Sequence, residues 1–425
     1  MAAKDQFLHL YLNETPMGLL RRGPGGKLSF EYDAAYLGEA GAVPLSLSMP
    51  LVARQYTHET IHPWLWGLLP DNELVLARWG QRFQVSSTNC FGLLECMGED
   101  CAGAIRFIQP EDLDKVASGG KKLLKESDIE ERLEALRKDP SLSREPSDRG
   151  QFSLAGAQSK TALQRRGSKW YLPWGREPTT HILKPPRPDI DGHVENEHFC
   201  LRLAAELGLS VARSEVMHFG KEAAIVVERY DRLMMDRKLI RVHQEDACQA
   251  LGIHPSLKYQ SEGGPDTVKI MELMNRSSQP VVDRRRIMQA LVFNYLILGT
   301  DAHAKNYSLL LGRNQQVRLA RLYDIASFLP YVALRKDCRF AMKIGSYYKD
   351  AQIQSRHFEK TARACEFPAH EMRRLICEMA SALPDLALGV HREMEQQGIT
   401  HPVLDQLTEL LGQRSARIYR TFKSQ

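Results

Sequence analysis

The chain lacks a strong charge imbalance, a cysteine pairing pattern and a long apolar run, and each absence removes a class of protein. Lys plus Arg number 57 and Asp plus Glu 52, so the net charge is only +5 over 425 residues, too little for a surface that coats nucleic acid or membrane. Cys90, Cys96, Cys101, Cys200, Cys248, Cys338, Cys365 and Cys377 form neither a dense disulfide framework nor a CxxC pair, so they read as reduced thiols, many of them buried. The longest nearly uncharged apolar stretch, residues 290–300, is about half the length a membrane-spanning helix needs. The start, MAAKDQFLHLYLNETPMG, has neither the basic nor the apolar region of an export signal. A cytoplasmic protein with no membrane partner is the expectation. At 43% hydrophobic and 26% charged, the chain is globular and long enough for two or three domains.

The patterning predicts an α+β chain with four parts. Residues 1–110 alternate in short segments (Phe7/Leu10/Leu12, then Leu28/Phe30/Tyr32) between Gly and Pro turns, which predicts a small, β-rich first domain. Residues 111–149 turn to Lys, Glu, Asp, Ser and Pro around one amphipathic stretch, 129–136, and read as a charged connector. Residues 150–232 suggest a hairpin near 160–172, a strand at 181–184, a helix at 195–207 stopped by Gly208, and a second hairpin at 216–229. Residues 233–425 look mainly helical, interrupted at 300–322.

The most informative spacing is Asp301-Ala-His-Ala-Lys-Asn306, placed just after an apolar helix predicted at 286–298. Protein kinases use an Asp to accept the substrate hydroxyl proton and an Asn five residues later to hold magnesium. Eighteen residues beyond Asn306, after a candidate hairpin, Tyr323-Asp324-Ile325 stands where a kinase puts its second magnesium-binding Asp. Upstream, Lys184 ends a short apolar strand and Glu197 lies on the next helix, the order of the phosphate-binding lysine and its orienting glutamate. Ser153-Leu-Ala-Gly-Ala-Gln-Ser-Lys160 precedes them, with small residues that let backbone N–H groups approach an anion. Glu228-Arg-Tyr-Asp231 ends the strand after the helix, where a kinase hinge offers backbone groups to adenine. Each element alone has an ordinary reading as a turn, cap or strand end. Five in the right order point to phosphoryl transfer.

Three competing signals are weaker. The small-residue loop is no Walker A, because with Lys160 as its lysine the two required glycines are Leu154 and Ser159. His58-Glu-Thr-Ile-His62 matches HExxH, but that zinc chemistry needs a continuing helix and a third ligand; Pro63 follows at once and Leu65 replaces the glycine of the extended form. The basic runs at 284–286 and 414–423 read as solvated helix faces.

Taken together, SLAGAQSKTAL, THILKPP, ENEHFCLRLAAELGL, VVERYDR, HQEDACQALG, KYQSEGGP, GTDAHAKNYS and LYDIAS, running in order over residues 153–327, with GLLPDN earlier, resemble the HipA family. These are bacterial serine/threonine kinase toxins of type II toxin-antitoxin modules. The resemblance implies a HipA-like kinase fold, ATP and Mg2+ as cofactors, and Asp301 as the catalytic base. It implies Asn306 and Asp324 as magnesium ligands and Lys184 as the phosphate-binding lysine. Leu154, Ala155, Gly156, Ala157, Gln158, Ser159 and Lys160 would form the nucleotide loop, and Glu228, Arg229 and Tyr230 the hinge. His303 and Lys305 would lie near phosphate, and Tyr323 beside Asp324 in the nucleotide site. Ser153 matches a serine that the family autophosphorylates to silence itself; a phosphate there would repel those of ATP and disorder the loop. The implied partners are a HipB-like helix-turn-helix antitoxin, operator DNA reached mainly through it, and a protein substrate such as glutamyl-tRNA synthetase, with growth arrest and persistence as the outcome. Rival readings are a small-molecule phosphotransferase and a catalytically idle antitoxin-binding module.

Overall fold

The computed structural model describes residues 5–144, 148, 151–236, 238–334 and 337–423. The amino-terminal sheet has five antiparallel strands, β1 (Gln6–Leu12), β2 (Thr15–Arg22), β3 (Leu28–Tyr32), β4 (Gln55–Tyr56) and β5 (Ile105–Ile108), in the order β4-β3-β2-β1-β5. Strict alternation builds it: Leu28, Phe30 and Tyr32 are buried while Ser29 and Glu31 are only partly so. Helices α1 (Ala34–Leu37), α2 (His58–Gly67), α3 (Glu73–Phe83) and α4 (Cys90–Met97) complete this domain. Ile61, Trp64, Leu65, Phe91 and Leu94 share one core with the sheet. Asn72 and Asn89 cap α3 and α4 by accepting from backbone N–H groups of the first turn. Contrary to the expectation at Pro63, α2 continues through it to Gly67, at the cost of the backbone bond to the Glu59 carbonyl. His58 and His62 are nonetheless engaged locally: Leu28 N–H donates to His58 Nδ1 at 3.1 Å and the Trp66 indole to His62 Nε2 at 2.9 Å. Among the described residues no group of three His, Cys, Asp or Glu side chains is placed to hold a metal.

The second sheet has six strands in the order β10-β11-β9-β7-β8-β6, formed by β6 (Gly119–Leu124), β7 (Thr161–Arg166), β8 (Lys169–Gly175), β9 (His181–Lys184), β10 (Ser214–Phe219) and β11 (Glu222–Glu228). The charged stretch after residue 110 is thus more than a connector. Its β6 zips antiparallel onto β8, and Ile129 and Leu133 of α5 (Glu126–Lys138) pack with Leu163, Trp170 and Val226 of the sheet. Its composition hid this because only one side of each element is apolar. Helix α6 (His193–Glu206) buries Phe199 and Leu203, and Gly208 follows with φ of +79°, a left-handed turn that glycine adopts without strain. A hairpin, β12 (Arg232–Met235) and β13 (Lys238–Arg241), leads onward.

The carboxyl-terminal part combines a three-stranded sheet, β14 (His243–Asp246), β15 (Ser308–Leu311) and β16 (Val317–Leu319), with α7 (Ala247–Ala250), α8 (Thr267–Leu273) and α9 (Pro280–Leu296). After these come a hairpin, β17 (Arg339–Ile344) and β18 (Tyr347–Lys349), and then α10 (Ser355–Ala364), α11 (Ala369–Gln396) and α12 (Pro402–Lys423). The hairpin departs from the mainly helical expectation. It turns at Gly345, whose φ is +65°, and buries Phe340, Met342 and Ile344. Ala341 N–H donates to the Thr300 carbonyl at 3.0 Å, so the hairpin braces the loop that holds Asp301.

A buried carboxyl joins the amino-terminal domain to β14. Glu245 is 1% exposed; its Oε1 accepts from Leu47 N–H at 2.7 Å and its Oε2 has no partner. Burial pushes this carboxyl up from its ordinary 4.5 to about 8. Its contribution to stability is therefore complete below the unfolded value and is lost as pH rises through the folded one. Thermal melts of wild type are expected to weaken between pH 4.5 and 8 by a component that Glu245→Gln lacks; identical pH slopes for the two proteins would contradict this.

Candidate active site

A cleft of about 840 Å³ lies between the six-stranded sheet and the carboxyl-terminal part, of a size to enclose a nucleotide. Lys184 closes β9, so the strand aims its buried side chain into the cleft. There Nζ donates to Glu197 Oε1 of α6 and to Asp324 Oδ1, each at 2.7 Å. Burial alone would lower the lysine, but the two carboxylates outweigh it and hold it above its ordinary range. Reciprocally, Lys184 holds Asp324 well below the usual carboxylate range. Asp324 has φ of +57°, a left-handed conformation that Asp tolerates better than most residues, and its side chain remains 41% exposed to the cleft.

Across from this cluster, α9 ends at Leu296 and the chain reverses through Leu298 and Gly299, whose N–H bonds the Asn294 carbonyl at 2.7 Å. The loop then tightens into a turn. The Asp301 carbonyl accepts from His303 N–H at 2.8 Å and from Asn306 Nδ2 at 2.9 Å, so the Asn fixes the loop that presents the exposed Asp301 side chain. The Tyr259 hydroxyl donates to Asp301 Oδ1 at 2.6 Å. Burial and the Asp301 charge both push that phenol up, so it stays a donor. His303 is buried with its ring edge-on to Tyr259, and burial pushes it down, favouring the neutral imidazole. Lys305 turns to Asp71, and its carbonyl accepts from the Tyr323 hydroxyl at 2.6 Å. Tyr323 stacks obliquely on Tyr230, with ring centroids 5.7 Å apart.

The small-residue loop crosses the cleft. Gly156 has φ of +107°, and a Cβ there would come within 2.5 Å of Lys160 Nζ, which donates to the Ala155 carbonyl at 2.6 Å. Loss of hydration, reinforced by neighbouring Lys184, pushes the Lys160 amine down to about 8. Leu154 packs with Phe152 and Ala162, while Ala155, Ala157 and Gln158 line the cleft. Ser159, which does not line the cleft, borders a small separate pocket that Trp79 and Pro140 also line. Ser153 is fully buried, and its hydroxyl donates to the Leu68 carbonyl at 2.8 Å.

Glu228 and Tyr230 line the cleft at the end of β11. The Arg229 guanidinium turns away from the cleft into a buried network. It bonds Asp231, Thr179 and the Cys101 carbonyl at 2.8–3.0 Å. Asp100 of the amino-terminal domain lies at the centre, accepting from Arg232 at 2.8 Å, Arg241 at 2.7 Å and the Thr179 hydroxyl at 2.7 Å. Sequence reasoning brought Lys184, Glu197, Asp301, Asn306 and Asp324 to one cleft. It missed the chemistry of Asp71, Asp100, Lys258 and Tyr259, although GLLPDN and KYQSEGGP mark three of the four as parts of motifs.

An Asp and Asn on one loop, facing a Lys bridged to a Glu and a second Asp, is the arrangement of kinases. Residues 8–108 match the HipA N-terminal domain and residues 152–387 the HipA-like C-terminal domain. The putative kinase Y4mE of Sinorhizobium fredii is 36% identical over 390 residues, covering 90% of this chain and 91% of that protein. The serine/threonine-protein kinase toxin HipA of Shewanella oneidensis is 32% identical over 305 residues, covering 67% and 68%. A solved structure of Shewanella oneidensis HipA with HipB and operator DNA superposes with a TM-score of 0.84 at 25% identity, covering 98% of both chains. The chain belongs to the HipA family of kinase toxins. No described helix is long and apolar enough to cross a membrane.

Proposed function

We propose that this chain is an ATP- and magnesium-dependent serine/threonine protein kinase and the toxin of a toxin-antitoxin pair. The observation that carries the reading is Lys184 held at 2.7 Å by both Glu197 and Asp324, on the cleft that Asp301 and Asn306 also line. Lys184 binds phosphate oxygens of ATP and Glu197 keeps it aimed. The Gly156 loop covers the phosphates, and the backbone of residues 228–230 meets the adenine. Asp301 takes the proton from a substrate Ser or Thr hydroxyl as its oxygen bonds the γ-phosphorus and ADP leaves. Tyr259 occupies only Oδ1, which leaves Oδ2 of Asp301 to accept that proton. Asn306 and Asp324 would hold magnesium. A carboxylate and an amide oxygen are the hard donors it takes, and Asn306 already spends its amide nitrogen on Asp301. When bound, magnesium supplies charge neutralisation at the phosphates.

Ser153 is the proposed site of inhibitory autophosphorylation. Its buried hydroxyl, bonded to Leu68, has no room for a phosphate, so the modified loop must leave the cleft. A translation component, such as an aminoacyl-tRNA synthetase, is the proposed target, and a HipB-like antitoxin the proposed partner. The partner is supported by the likeness to a HipA solved with HipB and operator DNA. Intact mass after incubation with ATP and Mg2+, with peptide mapping across Ser153, tests the reading. One added phosphate at Ser153 is expected. A chain that starts unmodified, binds ATP and transfers phosphate neither to itself nor to any protein in a lysate overturns it.

A further inference from the structure

One residue of the amino-terminal domain reaches the cleft and touches both of its sides. Asp71 accepts from Lys258 Nζ at 2.7 Å and also pairs with Lys305. Its own backbone N–H donates to the Gly156 carbonyl at 3.2 Å, beside a parallel bridge between Pro70 and Gly156. The carboxylate is held firmly, because the next residue, Asn72, caps α3 and its own side chain is 12% exposed. Both lysines are tied to the catalytic loop: Lys305 is part of it, and the Lys258 carbonyl accepts from Ala304 N–H at 3.3 Å. Two ammonium groups share this one carboxylate, and the buried Asp246 carboxyl also feels Lys305; both ammonium groups line the cleft, where phosphate oxygens could reach them. Without Asp71 the nearest carboxylate on the same loop is Asp301, and a lysine that fell onto it would occupy the base.

Resting on the reading of this cleft as a phosphoryl-transfer site, we propose that Asp71 is a positioning residue for that transfer. Its carboxylate holds Lys305 and Lys258 in place for the phosphates and off Asp301, while its backbone keeps the Gly156 loop closed. The amino-terminal domain thereby completes the active site. Although burial alone would raise it, the two lysines hold the Asp71 carboxyl down at about 2, so it is charged wherever the enzyme is assayed. The other titratable groups that feel this cluster are Asp246, Cys248, His254, Lys160, His303 and Tyr259.

Asp71→Asn separates charge from structure, since it preserves volume and the backbone bond to Gly156. Steady-state kinetics with ATP·Mg on the full chain and melting temperature are the readouts. We expect a cooperative melt at a lower midpoint, because two mostly buried lysines lose their carboxylate, together with a kcat lower by about 10²-fold and an ATP KM within about threefold, as for misplaced catalytic groups. Asp71→Glu, which keeps the charge, should restore most of the lost rate. An Asn variant with wild-type kcat overturns the proposal; so does a folded Glu variant whose kcat is also lower by about 10²-fold. Should the Asn variant fail to fold, the Glu variant decides alone. A wild-type chain that neither binds ATP nor transfers phosphate overturns the kinase reading itself, a result visible before any Asp71 variant is made.

Discussion

Replacing Asp301 with Ala is expected to cut phosphoryl transfer by about 10²- to 10⁴-fold, the range that a positioned general base contributes. Folding should be retained. Asp301 is exposed, and the two bonds that shape its loop, from His303 N–H and Asn306 Nδ2, go to its backbone carbonyl and survive the substitution. What disappears is the carboxylate that Tyr259 steadies at 2.6 Å. Comparing rates of wild type and variant with labelled ATP, alongside thermal melts, separates loss of chemistry from loss of fold. Wild-type rates in the variant would remove Asp301 from the mechanism.

The largest expected effect on stability comes from Asp100→Ala. Asp100 is 6% exposed and answers three arginines, Arg232 at 2.8 Å, Arg241 at 2.7 Å and Arg229 at 3.5 Å. Removing one partner from a buried ion network leaves uncompensated charge and costs about 3–5 kcal/mol. Asp231 would still serve Arg229 and Arg232 at 2.9 Å, but Arg241 would lose its carboxylate. A clear drop in the chemical denaturation midpoint is expected, with weaker ATP binding because Arg229 and Asp231 set the strand end at the cleft. An unchanged midpoint would show the network to be neutral.

Much of the fold was legible because short-range chemistry dictates it. β9, α6 and the β10–β11 hairpin follow from apolar alternation, helical spacing and turns at Gly208 and Gly220. The loop that presents Asp301 was legible because Asp301 and Asn306 are neighbours in sequence and their spacing is itself the signal. Asp71 was not, because its partner Lys305 lies 234 positions away, and nothing local distinguishes an aspartate before a helix from an ordinary turn residue. Asp100 was hidden for the same reason: its arginines lie 129 to 141 positions further on in the chain, near a strand end that read as a nucleotide hinge. The β17–β18 hairpin was hidden inside a long stretch that otherwise favours helix, although Gly345 and the apolar run before it carried the signal.

The distance along the chain between Asp71 and Lys305 also sets a schedule for biosynthesis. The amino-terminal sheet closes once β5 has emerged, at Ile108, and such a unit can fold while the rest is still being made. The cleft is different. Lys184 must wait 140 residues for Asp324, and Asp71 waits 234 for Lys305, which at ordinary elongation rates is on the order of ten seconds or more. A ribosome-bound chain can therefore fold its first domain before the ion pairs that line the cleft can form. Any protein that grips the first domain can be in place before the cleft exists.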